Sequence, residues 1–258
     1  MSATLHVQSE FARRIAFVTT PNSAADEPLL THLRLNDSLI ITETSAADAN
    51  IDYSKYDLIV LGCVPNSGAA GFTPLKGYDK PMVLLKPFLL KNTVWNWGNA
   101  VNTQDIAISV TDASHPIFRG IEINNNELPL FTQCNTNAVT AISTWTNTTG
   151  YTLLGTPVSN NTYTTIAEFP NGTDCNGTIL PQPLIMIGVS EYSTAQLTQG
   201  GKQLIENAIL YLLGMEMSTD IEHISNAIPA EKFMRNGNIY IRTGQHIYTI
   251  LGNPIQCL

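Results

Sequence analysis

The apolar residues of the chain gather into short unbroken runs. Arg13 to Thr20 (RRIAFVTT), Asp57 to Cys63 (DLIVLGC), Pro81 to Lys86 (PMVLLK) and Pro183 to Val189 (PLIMIGV) show almost no polar alternation. A strand that faces water on one side alternates, so runs of this kind predict strands buried on both faces, as in a parallel sheet. Between the first two runs, Ala25, Leu29, Leu30 and Leu33 stand at helical spacing within Ala24 to Leu35, and Ser38 to Thr42 reads as a further short strand. Strand, helix and strand in succession predict a doubly wound α/β sheet, with right-handed crossovers placing helices on both faces.

From Asn124 to Thr178 the texture changes: 24 of 55 residues are Asn or Thr, and the runs AVTAIS (138–143), TLLGTP (152–157) and TTIAEF (164–169) are separated by turn residues. These predict short strands that extend the sheet through polar loops. Gln199 to Leu213 is the strongest helical signal, with Leu204, Ala208 and Leu212 four apart, Ile205, Ile209 and Leu213 beside them, and Gly214 placed to end it. The α/β unit is therefore expected to span 13–216, with 217–258 as linker and appendage. Within that appendage, Lys232 to Gln256 holds three short alternating runs divided by Arg-Asn-Gly-Asn, Arg-Thr-Gly-Gln and Leu-Gly-Asn-Pro, the pattern of a small β-meander.

Composition narrows the function. Charged residues are only 13% of the chain, about half the roughly 25% of ordinary soluble domains, and 23 Asn with 29 Thr supply the polarity instead. The net charge is −8, and no Lys or Arg occurs from Gly120 to Gly201. A nucleic-acid groove or an anionic-membrane patch needs clustered cations, so neither partner is expected. No apolar run approaches the roughly 20 residues that span a bilayer, so membrane insertion is not expected. The first dozen residues also lack the basic head and apolar middle of a signal peptide, and any leader is expected to have been removed. Cys63, Cys134, Cys175 and Cys257 form no CxxC pair, and no HExxH accompanies them, so no metal is expected. Each reads as a small buried hydrophobe, and spacing leaves a Cys134–Cys175 disulfide open. The loop Asn22-Ser23-Ala24-Ala25-Asp26 between the first strand and helix lacks both glycine-rich phosphate patterns, so no nucleotide cofactor is expected. Ser23 or Asp26 is placed to cap the helix.

Over about 13–214 the order of elements resembles the class I glutamine amidotransferase-like superfamily, and more closely its ThuA-like branch. The likeness rests on RRIAFVTT, YDLIVLG and KPMVLLK, on His115-Pro116-Ile117-Phe118-Arg119-Gly120-Ile121 followed by Leu128-Pro129-Leu130-Phe131, and on the closing LTQGGKQLIENAILYLLG. It implies a three-layer α/β/α sandwich of flavodoxin-like kind with a mainly parallel sheet. In an active amidotransferase of this kind a proline-led strand runs into a sharp elbow bearing the nucleophilic Cys, and a His and Glu arrive later as H-x-E. Laid onto Pro81 to Phe88, the nucleophile's position is Lys86, followed by Pro87; after PLIMIGV the chain reads Val189-Ser190-Glu191, keeping only the acid. Glutamine hydrolysis then has neither thiolate nor base, and no catalytic residue is assigned. Cys63, which ends a strand before a Pro-Asn-Ser-Gly loop, reads first as a buried thiol.

Ligands of open α/β sheets collect beyond the carboxyl ends of the strands, and Asn22, Cys63 and Lys86 each follow a predicted parallel strand, so their loops are expected to converge on one edge, with Ser23 and Glu191 as further candidate contacts. A charge at the end of a buried strand needs a partner or an open cleft, so Lys86 is expected to pair with an acid such as Glu191 or to face a ligand. Trp95-Asn96-Trp97 follows in a loop, where two indoles flanking an amide would make a sugar-stacking platform unless they plug the core. His115 reads as a loop hydrogen-bonding residue and, after that, a ligand contact. The C-terminal module resembles the short segment that ends many exported Bacteroidetes proteins, carried here by Lys232, Gly237, Tyr240, Ile241, Gly244, Tyr248 and Gly252. That resemblance implies a periplasmic or cell-surface protein. Two readings stand: a noncatalytic binding or accessory module for carbohydrate, and a degenerate hydrolase of a sugar or small amide.

Overall fold

We describe residues 12–133, 137–191 and 194–215 of a computed structural model, together with the strand backbones at 230–235, 238–243, 246–249 and 254–255. The chain divides into two units, Met1–Met217 and Ser218–Leu258. Nine strands make the main sheet of the first: β1 (Arg13–Thr19), β2 (Leu39–Ser45), β3 (Leu58–Leu61), β4 (Met82–Leu84), β5 (Ala107–Val110), β6 (Glu127–Pro129), β7 (Thr152–Pro157), β8 (Ile166–Phe169) and β9 (Leu184–Ile187). Their spatial order is β2-β1-β3-β4-β9-β8-β7-β5-β6. The first five in that order run parallel, with Ile59 opposite Met82 and Leu184 opposite Met82 on its other side. From β9 onward every pairing is antiparallel.

The unbroken apolar runs become strands buried on both faces. In β1, Ile15 and Phe17 point into one core and Ala16 and Val18 into the other; in β3 the division is Leu58 and Val60 against Ile59 and Leu61. Over the first core lie both α-helices, α1 (Glu27–Arg34) and α2 (Gln199–Leu212), through Leu29, Leu30 and Leu33 and through Leu204, Ile205, Ala208 and Ile209. Thr198 caps α2 by accepting from the Gly201 amide at 2.9 Å, and Gly214, at φ 63°, ends it. Helix α1 starts differently from expectation. Neither Ser23 nor Asp26 caps it through a side chain, because the Asp26 carboxylate takes the Thr19 hydroxyl instead and Pro28 needs no amide partner in the first turn.

The layer over the second face is built from 3-10 turns and a two-stranded ribbon where helices were expected. The connection from β3 to β4 holds Pro65, Pro74 and Pro81 with Gly68, Gly71 and Gly77, which leaves room only for the 3-10 turn Ala70–Leu75. Gly71 is required there, since a Cβ would stand 2.7 Å from the Ala46 carbonyl oxygen. The ribbon pairs Gly98–Thr103 with Val139–Trp145, so AVTAIS crosses the sheet in place of extending it, whereas TLLGTP and TTIAEF do extend it as β7 and β8.

The second unit is a four-stranded antiparallel sheet of Ala230–Arg235, Asn238–Thr243, His246–Thr249 and Pro254–Ile255 in sequence order. Lys232 stands opposite Ile241, and Ile241 opposite Tyr248. Gly237, Gly244 and Gly252 lie outside the described residues.

Candidate functional site

Two loops leave neighbouring parallel strands and meet. Lys86 follows β4, Glu191 follows β9, and their side chains form an ion pair at 2.7 Å. The Lys86 side chain is 4% exposed and Glu191 38%, so the cation lies at the inner end of the pair. The same ammonium donates to the Cys63 carbonyl at 2.5 Å, which ties the loop after β3 into the site. Lys86 has φ −118°, so the strained turn that the resemblance leads one to expect at this position is not made. Pro87 then opens the 3-10 turn Pro87–Leu90, which carries Phe88 and delivers Lys91.

These loops border a cleft of about 250 Å³ lined by Asn66, Ser67, Phe88, Lys91 and Asn102 as well as the ion pair. Pockets for drug-sized ligands run to roughly 300–1,000 Å³, so this cleft is on the scale of a smaller group. Asn66 holds its loop by accepting the Gly68 amide at 2.8 Å, and Asn102 accepts the Thr140 hydroxyl at 2.8 Å. Asn66 and Ser67 belong to the Pro-Asn-Ser-Gly loop, which its place after a parallel strand puts near the ligand side. Phe88 and Lys91 share that signal, standing in and just after the turn that follows β4, whereas Asn102 lies in the ribbon, which has no periodicity of its own.

Cys63 is buried. Burial, and next the neighbouring Asp26 carboxylate, push its thiol up to about 12, and its sulfur shares a hydrogen bond with the Thr194 hydroxyl at 2.7 Å. Asp26 is itself raised by burial, against the pull of the Thr19 hydroxyl. Cys175 is a free, buried thiol, and Cys134, the partner left open for it, lies outside the described residues. Among the described residues no cluster of His, Cys, Asp and Glu could hold a metal.

The other expected contacts lie elsewhere. Trp95 and Trp97 are 1% and 0% exposed, packed together with ring centroids 4.9 Å apart in the second core. A sugar needs a free aromatic face, so the indole platform does not exist. The ribbon covers them, with the Trp97 carbonyl accepting from Thr146 and Thr148. Asn96 turns the chain between them at φ 60° and accepts from Asn176 at 2.8 Å, away from the cleft. Asn22 also adopts positive φ and spends its amide on Glu43 at 3.0 Å, and neither it nor Ser23 lines the cleft.

His115 sits at the opposite edge, for a topological reason. Strand β5 runs against β7, which runs against β8, which runs against β9, so the loop after β5 leaves at the amino ends of the parallel strands. There the Nδ1 of His115 accepts from the Ile117 amide at 3.4 Å, and Nε2 lies 3.2 Å from Glu168, which also accepts from Tyr211 at 2.8 Å. The bond to His115, more than any other neighbour, holds the Glu168 carboxyl below its ordinary value. The loop hydrogen bond expected of His115 is present, and a contact with the cleft is not.

No family model and no curated protein matches the chain. Among solved structures it is similar to a protein from Thermoplasma acidophilum assigned as the A-type component of a GMP synthase, at 13% identity and a TM-score of 0.51, covering 80% of this chain and 96% of that one. The fold is amidotransferase-like. A ThuA-like protein from Bacteroides uniformis aligns at 12% identity and a TM-score of 0.48, covering 82% and 95%. An exo-β-1,4-mannosidase from Opitutaceae bacterium strain TAV5 aligns at 9% and 0.45, covering 80% of this chain and 37% of that one. On the amidotransferase-like sheet, the cleft occupies the carboxyl edge where Lys86 and Glu191 stand.

Proposed function

We propose that the α/β unit is a noncatalytic binding module of an exported bacterial protein that handles carbohydrate, with a sugar as the ligand of the cleft. The observation that carries this reading is the state of the nucleophile's position. An ammonium held by a carboxylate and a carbonyl has no lone pair to give, and Lys86 is held by both. The nearby thiol of Cys63 is pushed up to about 12, so almost none of it is thiolate at neutral pH. The lining supports the choice of ligand: the half-buried ring of Phe88 suits the apolar face of a sugar, and Asn66, Ser67 and Asn102 offer both donors and acceptors to its hydroxyls. The segment around Lys232, Tyr240, Ile241 and Tyr248 supports export.

A glycan array probed with the full chain and with Phe88→Ala tests the proposal. Binding to a subset of glycans is expected, lost in Phe88→Ala with little change in melting temperature, and neither protein should release ammonia from glutamine. Ammonia release that disappears in Cys63→Ala would overturn the noncatalytic reading. Glycan binding indifferent to Phe88→Ala would remove the site from the cleft.

A further inference from the structure

The charges around the cleft do not cancel. Glu191 neutralises Lys86 at 2.7 Å, whereas Lys91, which lines the same cleft, takes part in no ion pair among the described residues. Its ammonium lies over the Phe88 ring, 5.9 Å from the centroid, at the mouth of the cleft both residues line. In a chain of net charge −8 with only 13 Lys and Arg, two of the seven residues that line this cleft on the carboxyl edge of the sheet are lysines, and Glu191 offsets one of them. A low-dielectric recess concentrates the field of such a cation outward, toward an arriving anion.

The remaining lining limits which anion fits. A phosphate is held by several cations, by an Arg fork, or by the amides of a glycine-rich loop. No Arg lines the cleft, the loop after β3 turns its Gly68 amide onto Asn66, and the second lysine is already occupied. One ammonium as a point charge suits a single carboxylate. Amide and hydroxyl groups beside an aromatic ring suit the rest of a polyhydroxylated ring.

We infer that the cleft's ligand is an acidic sugar, a single ring whose carboxylate meets Lys91 and whose hydroxyls meet Asn66, Ser67 and Asn102. This rests on the sugar-binding reading of the cleft and adds the charge class. The test titrates the full chain by calorimetry with glucuronate, galacturonate and mannuronate, with each neutral parent hexose, and with acetate and inorganic phosphate. At least one uronate should bind about tenfold more tightly than its parent hexose, a difference of about 1.4 kcal/mol. Lys91→Gln should reduce that uronate to the affinity of its parent, Lys91→Arg should restore most of the difference, and added salt should weaken the uronate but not the hexose. Unchanged thermal unfolding of Lys91→Gln shows that the loss is one of binding.

Equal affinity for uronates and hexoses, or a preference that survives Lys91→Gln, overturns the acidic-sugar inference and leaves the sugar module standing. Acetate or phosphate binding as tightly as the best uronate overturns it too, because charge alone would then be recognised. Binding of no saccharide overturns both readings.

Discussion

Lys86 lies where water hardly reaches, and the two members of its ion pair do not depend on each other equally. Its side chain is 4% exposed against 38% for Glu191, so the carboxylate can fall back on solvent while the ammonium cannot. Breaking a fully buried pair from one side costs about 3–5 kcal/mol through the charge left behind. Glu191→Gln is therefore expected to cost about 2 kcal/mol, reduced because the Cys63 carbonyl and the new amide oxygen still accept from Lys86. Lys86→Met removes the buried charge and fills its space, and is expected to cost under about 1 kcal/mol. Urea unfolding of both variants at neutral pH measures the asymmetry, and equal losses would show the pair to be solvated at both ends. This pair was legible in the sequence because a charge that ends a fully apolar strand must find a partner at that same edge. Trp95 and Trp97 were not legible, because a loop indole looks alike in sequence whether it plugs a core or faces a sugar. What decides is the ribbon folded over them, a long-range pairing of Gly98–Thr103 with Val139–Trp145.

At the scale of elements, the two stretches that made the family resemblance most specific turn out to touch. Asn207 of α2 is 1% exposed and donates to the carbonyls of Ile117 at 3.0 Å and Arg119 at 2.8 Å, within the segment His115 to Gly120. Its own oxygen accepts from Gln203 at 3.0 Å. Asn207→Leu would leave two carbonyls without this donor, and at about 1–3 kcal/mol for each unsatisfied buried group the expected loss is about 2–4 kcal/mol. Urea unfolding reads the loss, and faster hydrogen exchange at Ile117 to Ile121 locates it. A loss without that local change would put the cost in helix packing. Helix α2 could be read from its periodicity, but Asn207 stood on its buried face with no sequence signal of a partner 88 residues away. Gly188 is similar. A Cβ there would lie 1.7 Å from the Thr140 carbonyl oxygen of the crossing ribbon, so this glycine is what lets the ribbon lie on β9. Inside PLIMIGV it looks like the end of a strand.

For the molecule as a whole, the α/β class followed from apolar runs that are buried on both faces, but such runs do not disclose direction. The turn from parallel to antiparallel pairing beyond β9 reverses β5 and carries His115 to the edge opposite the cleft. Among the described residues the sheet is nevertheless complete early: its nine strands lie between Arg13 and Ile187, and the two α-helices between Glu27 and Leu212. None of its hydrogen-bonded strand pairs draws on Ser218–Leu258, whose described strands pair only with one another. A chain ending at Met217 is therefore expected to unfold cooperatively near the melting temperature of the full chain. The proposed task of the second unit, from the resemblance carried by Lys232, Tyr240, Ile241 and Tyr248, is surface delivery. With the same cleavable leader on both chains in a Bacteroidetes host, the full chain should be cut by protease added to intact cells, while the shortened chain should stay protected in the periplasm. Equal cutting of the two would leave 218–258 with no role in delivery, and loss of cooperative unfolding in the shortened chain would make that segment part of the fold.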